Sequence, residues 1–90
     1  MVILLPDNPM ALEARARAFY HVKDFTACIK DCDRSIKLDP AYAVCWAMRG
    51  EAKVALGDKA GAISDLDEAV RIEPNQPPWA KLLSDTLGDS

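Results

Sequence analysis

Ninety residues suit one small domain, and a chain of this size buries roughly 60 to 65% of the surface its unfolded form exposes, so a single modest core is expected. Half of the residues are hydrophobic and 28% are charged, the balance of a chain that folds and not of a disordered one. The net charge of -3, with Lys and Arg scattered along the chain, excludes the clustered positive surface that a phosphate backbone requires, so no nucleic-acid partner is expected.

The chain opens on Met1-Val2-Ile3-Leu4-Leu5 and Pro6. This apolar run lacks a basic lead and is too short for a signal peptide or a membrane span, so no membrane role is expected and a cytoplasmic location is. Val2, Leu4 and Pro6 fall 34 residues before Ile36, Leu38 and Pro40, which in turn fall 34 residues before Val70, Ile72 and Pro74. The same interval relates Arg15 to Arg49, Asp24 to Asp58, Ile29 to Ile63, Asp31 to Asp65 and Asp33 to Asp67. A fixed period of this length signals stacked supersecondary units. Residues 1–8 then read as the remnant of a preceding helix or as an N-terminal extension.

Residues 9–22 carry apolar or small side chains at three- and four-residue spacings, as a helix with one buried face requires. Lys23-Asp24 supplies the turn, and a second helix over about 25–38 buries Cys28, Ile29, Cys32, Ser35 and Ile36 before Pro40 stops it. The pattern repeats with a helix over 43–56, a turn at Gly57-Asp58 in which Gly57 suits a left-handed residue, and a helix over 59–72 ended by Pro74. A fifth helix from Pro77 to about Leu87, within 77–90, presents Trp79, Leu82, Leu83 and Leu87, with Lys81, Ser84, Asp85 and Asp89 on a polar outer face. It is either a capping helix or the start of a third unit.

Counting Ala43 as the first position, residues 43–76 have Trp46 at four, Gly50 at eight, Ala62 at twenty, Leu66 at twenty-four, Ala69 at twenty-seven and Pro74 at thirty-two. That order resembles the tetratricopeptide repeat. Residues 9–42 follow it more loosely, with Leu12, Ala16, Phe19, Cys28, Cys32, Ser35 and Pro40 where the family usually has Trp, Gly, Tyr, Ala, Phe, Ala and Pro. Both units depart at the seventh position, where Arg15 and Arg49 replace a leucine, and Lys53 replaces the tyrosine of the eleventh. The resemblance implies an all-α fold, an α-solenoid of antiparallel helix-turn-helix hairpins with about five helices.

The resemblance also implies a concave groove lined by the first helix of each hairpin, with positions two, five, nine and twelve facing a bound peptide. Those are Met10, Glu13, Arg17 and Tyr20, then Val44, Ala47, Glu51 and Val54, with Pro78, Lys81 and Asp85 added by the fifth helix. Arg17 can fork onto a ligand carboxylate. It can equally pair with Glu13 one turn earlier or with Glu51 across the repeat, contacts worth tenths of a kcal/mol when exposed. Family members that clamp the C-terminal carboxylate of Hsp90 or Hsp70 use Lys, Asn, Asn, Lys and Arg at five positions where this chain has Glu13, Arg17, Met48, Pro78 and Leu82. A ligand of another kind is therefore expected.

Cys28 and Cys32 fall on core positions, where a thiol acts as a small hydrophobe, and one His and one further Cys do not complete a zinc set. No cofactor or metal is expected, and the odd count of cysteines suits reduced thiols. Asp31 and Asp33, like Asp65 and Asp67, stand two apart on a helix and read as solvated faces or contacts to a neighbouring repeat. No nucleophile, base and oxyanion donor are placed together by any motif, so no catalysis is expected. The expected role is a protein-interaction adaptor or scaffold that takes a protein or peptide partner in the groove. The competing role is a structural spacer that self-associates through the ends of the array.

Overall fold

The computed structural model describes residues 8–88. The readings of residues 1–7 and of Asp89 lie outside that range. Five helices follow one another: α1 (Pro9–His21), α2 (Phe25–Leu38), α3 (Ala43–Ala55), α4 (Lys59–Ile72) and α5 (Pro77–Gly88). Each packs on its neighbour in the chain, and α1 also meets α3. The fold is all-α, a solenoid of two helical hairpins with α5 stacked on the second.

The hairpin turns show why Asp24 and Asp58 recur. The Asp24 N–H donates to the Phe19 carbonyl at 2.9 Å and the Asp58 N–H to the Lys53 carbonyl at 2.8 Å, which closes the preceding helix. Their side chains then accept from the N–H groups of Ala27 and Gly61, at 3.3 and 3.0 Å, which caps the next one. The residue before each aspartate must be left-handed: Gly57 has φ 85°, and Lys23, its counterpart, has φ 66°. Lys23 holds that conformation against the steric cost of its Cβ, which glycine avoids. At the start of α1, the Asn8 side chain accepts from the Met10 N–H at 2.8 Å, and Pro9 stands at the position where no amide donor is needed.

Two linked cores hold the stack. The first joins Ala16 of α1, Cys28 and Cys32 of α2, and Cys45, Met48 and Ala52 of α3; the second joins Ala47 of α3 and Leu66 and Ala69 of α4 to Trp79, Leu82 and Leu83 of α5. Small residues set the helix separation within the second hairpin. A Cβ built on Gly50 would lie 2.9 Å from Leu66 Cγ and 3.2 Å from the Ala62 carbonyl oxygen, so α3 and α4 touch there backbone to backbone. Ser35, where alanine is usual, is fully buried, and its hydroxyl donates to the Pro9 carbonyl while accepting from the Cys45 thiol at 3.1 Å. Ile29 and Ile36, expected to be buried, are half-buried on the flank of the first core, and Ile63 and Val70 of α4 are likewise half-buried.

The two arginines that break the leucine pattern have partners that also break expectation. Arg15 grips Asp31 with two hydrogen bonds of 2.8 and 2.7 Å, and Arg49 grips Asp65 with two of 2.9 and 2.8 Å. Asp31 and Asp65 are therefore buried ion-pair partners inside each hairpin and not solvated faces. Arg49 reaches further, donating to Asp33 of the preceding hairpin at 2.7 Å and stacking 4.9 Å from the Trp46 ring centroid. Its guanidinium pKa is raised, first by the hydrogen bonds to Asp65. In α5 the corresponding residue is Leu83, which packs into the second core.

Asp65 is only 2% exposed, so removing Arg49 strands a buried charge with Lys53, at 3.0 Å, as its remaining partner. Arg49→Leu is expected to cost about 3 kcal/mol, the low end for breaking a buried pair because Lys53 remains, and adding Asp65→Leu is expected to recover stability, because an apolar pair removes the stranded carboxylate. Urea midpoints measure both. A double variant less stable than the single one would show that the pair stabilises by more than mutual compensation.

Candidate peptide-binding groove

One face of α1 and α3 carries a continuous polar and aromatic cluster. Arg17 donates to Glu13 at 2.9 Å one turn away on α1, so the alternative with Glu13 is the one realised. The Tyr42 hydroxyl, at the start of α3, donates to the other Glu13 oxygen at 3.2 Å. Tyr20 packs edge-on to Phe25 with ring centroids 5.5 Å apart and is half-buried. Its hydroxyl pKa is raised, first by burial and then by the charge of Glu51 on α3. Glu51 is itself half-buried, and burial pushes its carboxyl up, opposed by Arg17 acting through space. Among the described residues no hydrogen bond or ion pair reaches the Glu51 carboxylate.

Glu13, Arg17, Tyr20 and Glu51, separated in sequence, thus converge. Tyr42 completes the group and was missed, because it precedes the first repeat position and α3 has no side-chain cap to draw attention to it. Met10 stands 68% exposed at one end of the face and Val54 41% exposed at the other. Val44 is half-buried against the first core. Ala47 is a correction: it is 1% exposed and packs with Leu66, Ala69 and Trp79, so it supports the floor of the groove and offers no surface. The reason is geometric, since this side of α3 packs against α4 in the second core. Lys81 is exposed on α5 and belongs to neither core.

Beyond Val54 the face deepens into an open pocket of about 340 Å³ between α3, the α3–α4 turn and α5. Val54, Gly57, Lys59, Leu82, Asp85 and Thr86 line it. Thr86 is buried, and its hydroxyl is satisfied within α5 by donating to the Leu82 carbonyl at 2.7 Å. Val54 and Asp85 both hold groove positions in the repeat register, so the pocket is continuous with the face. Only the juxtaposition of α5 with the α3–α4 turn reveals it.

Among the described residues, Cys28, Cys32 and Cys45 are buried free thiols inside the first core. The Cys32 thiol is pushed up, first by its hydrogen bond with Cys45 and then by burial, so it stays protonated. No group of three or more metal-ligating side chains occurs among those residues.

Two stacked hairpins with a 34-residue period and an added helix define a tetratricopeptide repeat domain, and residues 43–76 match that family's profile. The chain belongs to the tetratricopeptide repeat family. It is 34% identical over 70 residues to RNA polymerase II-associated protein 3 of Xenopus tropicalis, covering 78% of this chain and 11% of that protein. It is 36% identical over 70 residues to Hsc70-interacting protein 1 of Drosophila melanogaster, covering 78% of this chain and 19% of that protein. The chain thus spans about a tenth to a fifth of these relatives. Among solved structures it is similar to the first repeat domain of Spaghetti (RPAP3) bound to the HSP90 peptide SRMEEVD, with TM-score 0.85, 28% identity, and coverage of 90% of this chain and 64% of that one. The second repeat domain of human RPAP3, in complex with the HSP70 peptide SGPTIEEVD, gives 0.86 and 28%, with coverage of 92% and 69%.

Glu51 yields a prediction about stability. Because its folded-state pKa is raised, the folded chain holds a proton that the unfolded chain has already lost, so its charge weakens the fold as pH rises through the raised value. Glu51→Gln is expected to melt at a higher temperature than wild type at pH 7, with the gap closing below the ordinary carboxylate range. A Glu51→Gln variant that melts lower at pH 7 would mean that the carboxylate is stabilised by contacts that outweigh its burial.

Proposed function

We propose that this chain is a non-catalytic interaction module that receives an extended peptide segment of a partner protein across the shared face of α1, α3 and α5. The observation that carries this reading is the convergence on that face of three charged side chains, Glu13, Arg17 and Glu51, with the hydroxyl-bearing Tyr20 and Tyr42. The similar RPAP3 domains, solved with the short peptides SRMEEVD and SGPTIEEVD, support a ligand of similar length. Met10, Val44, Val54 and Lys81 extend the surface at its ends.

Those RPAP3 peptides end in acidic residues, which makes the HSP90 and HSP70 tails the first ligands to test. Three features favour a different ligand for this segment. Met48 is 5% exposed and Leu82 sits in the second core, so two of the five carboxylate-clamp positions are apolar packing residues. Pro78 has no donor on its backbone nitrogen and no polar side chain. Arg17 is already held by Glu13.

Panning a random-peptide library on the wild-type chain and on the Arg17→Glu, Tyr20→Ala double variant tests the groove, with SRMEEVD and SGPTIEEVD as defined probes. Selected peptides are expected to lose binding to the double variant, and the two acidic tails are expected not to saturate wild type. Equal binding to both proteins would remove the groove from the account, and tight binding of either tail would remove the distinction from the RPAP3 domains.

A further inference from the structure

From the pocket beyond Val54 and the carboxylate beside it we infer that the groove selects a peptide carrying a basic residue two positions from a large apolar one. The inference rests on the peptide-binding reading above and names the ligand class within it.

The apolar half comes from the pocket. Val54 and Leu82 form its walls, the Thr86 hydroxyl is satisfied within its own helix, and the volume of about 340 Å³ is at the lower end of the range that encloses a ligand group. An opening of that size suits one leucine, methionine or phenylalanine side chain of a docked segment, an anchor of the kind that dominates peptide interfaces.

The basic half comes from charge. Glu51 lies three residues before Val54, so the two side chains are neighbours on α3, about 5 to 6 Å apart. Its carboxylate is half-buried and receives no hydrogen bond from the described residues, while Glu13 is satisfied by Arg17 and Tyr42. The cations nearby do not meet that need. Arg17 is engaged with Glu13, and Lys59 and Lys81 are exposed. Asp85 at the pocket rim adds a second negative charge. A ligand guanidinium or ammonium would give Glu51 the partner that burial of its carboxylate calls for.

Spacing joins the halves. In an extended peptide, residues i and i+2 point to the same side about 6.6 Å apart, slightly more than the roughly 5 to 6 Å from Glu51 to Val54, the near wall of the pocket, so the second side chain reaches past Val54 into the opening. Residues i and i+1 point to opposite sides and cannot reach both.

Fluorescence polarization with labelled GSRGLGS, GSEGLGS and GSRGGGS, against the full chain and its Glu51→Gln variant, tests this. GSRGLGS is expected to bind about tenfold or more tightly than either control, and Glu51→Gln is expected to bring GSRGLGS and GSEGLGS close to parity. The inference is overturned if GSEGLGS binds as tightly as GSRGLGS, if the glycine control matches the leucine probe, if the variant keeps the preference, or if no probe saturates. Library peptides that need Arg17 and Tyr20 but carry acidic residues would sink this inference while leaving the groove itself standing.

Discussion

Everything in this domain depends on how closely α3 can approach α4, and Gly50 decides it. A Cβ there would stand 2.9 Å from Leu66 Cγ and 3.2 Å from the Ala62 carbonyl oxygen, so α4 approaches the bare α3 backbone with its own backbone and the Leu66 side chain. That contact fixes the distance over which Arg49 reaches Asp65, and it fixes the hairpin against which α5 packs through Leu82 and Leu83. The first hairpin solves the same problem with Ala16 against Cys28 and Cys32. Ala16 and Cys28 are larger than Gly50 and Ala62, and Cys32, smaller than Leu66, offsets them as a small apolar residue. A wider separation in either hairpin would tilt the first helices and change the spacing of the groove face.

Arg49 turns this local contact into a stack. It binds Asp65 within its own hairpin, Asp33 in the hairpin before it, and the ring of Trp46 beside it, while the Trp46 indole donates to the Pro40 carbonyl at 2.8 Å in the linker between hairpins. A leucine at this position could fill the same space but could not specify which neighbour it faces. The ion pair is therefore better understood as a registration device than as a source of net stability, consistent with the desolvation cost of burying both charges.

Much of this was legible in the chain because period and packing share one cause. The 34-residue spacing of Pro40 and Pro74, the small residues at the helix contact and the paired turn aspartates each reflect a backbone requirement that sequence reports directly. The ion pairs were visible as departures, Arg15 and Arg49 on one helix and Asp31 and Asp65 on the next, yet only the folded hairpin joins residues 16 apart in sequence. The groove was legible in part. Glu13, Arg17, Tyr20 and Glu51 converge, but Ala47 is withdrawn into the second core, and Tyr42 and the pocket beyond Val54 depend on how neighbouring elements meet, which repeat position alone does not encode.

The groove also shows where stability yields to another demand. The carboxylate of Glu51 is desolvated without a hydrogen bond among the described residues, an arrangement that packing alone would not favour. The most direct test of the account is to titrate the isotope-labelled chain with a library-selected peptide and follow its backbone amide resonances. The account predicts shifts concentrated at Glu13, Arg17, Tyr20, Glu51 and Val54, with Lys30, Lys37, Asp67 and Arg71 on the exposed sides of α2 and α4 unmoved. Shifts confined to α2 and α4 would contradict it.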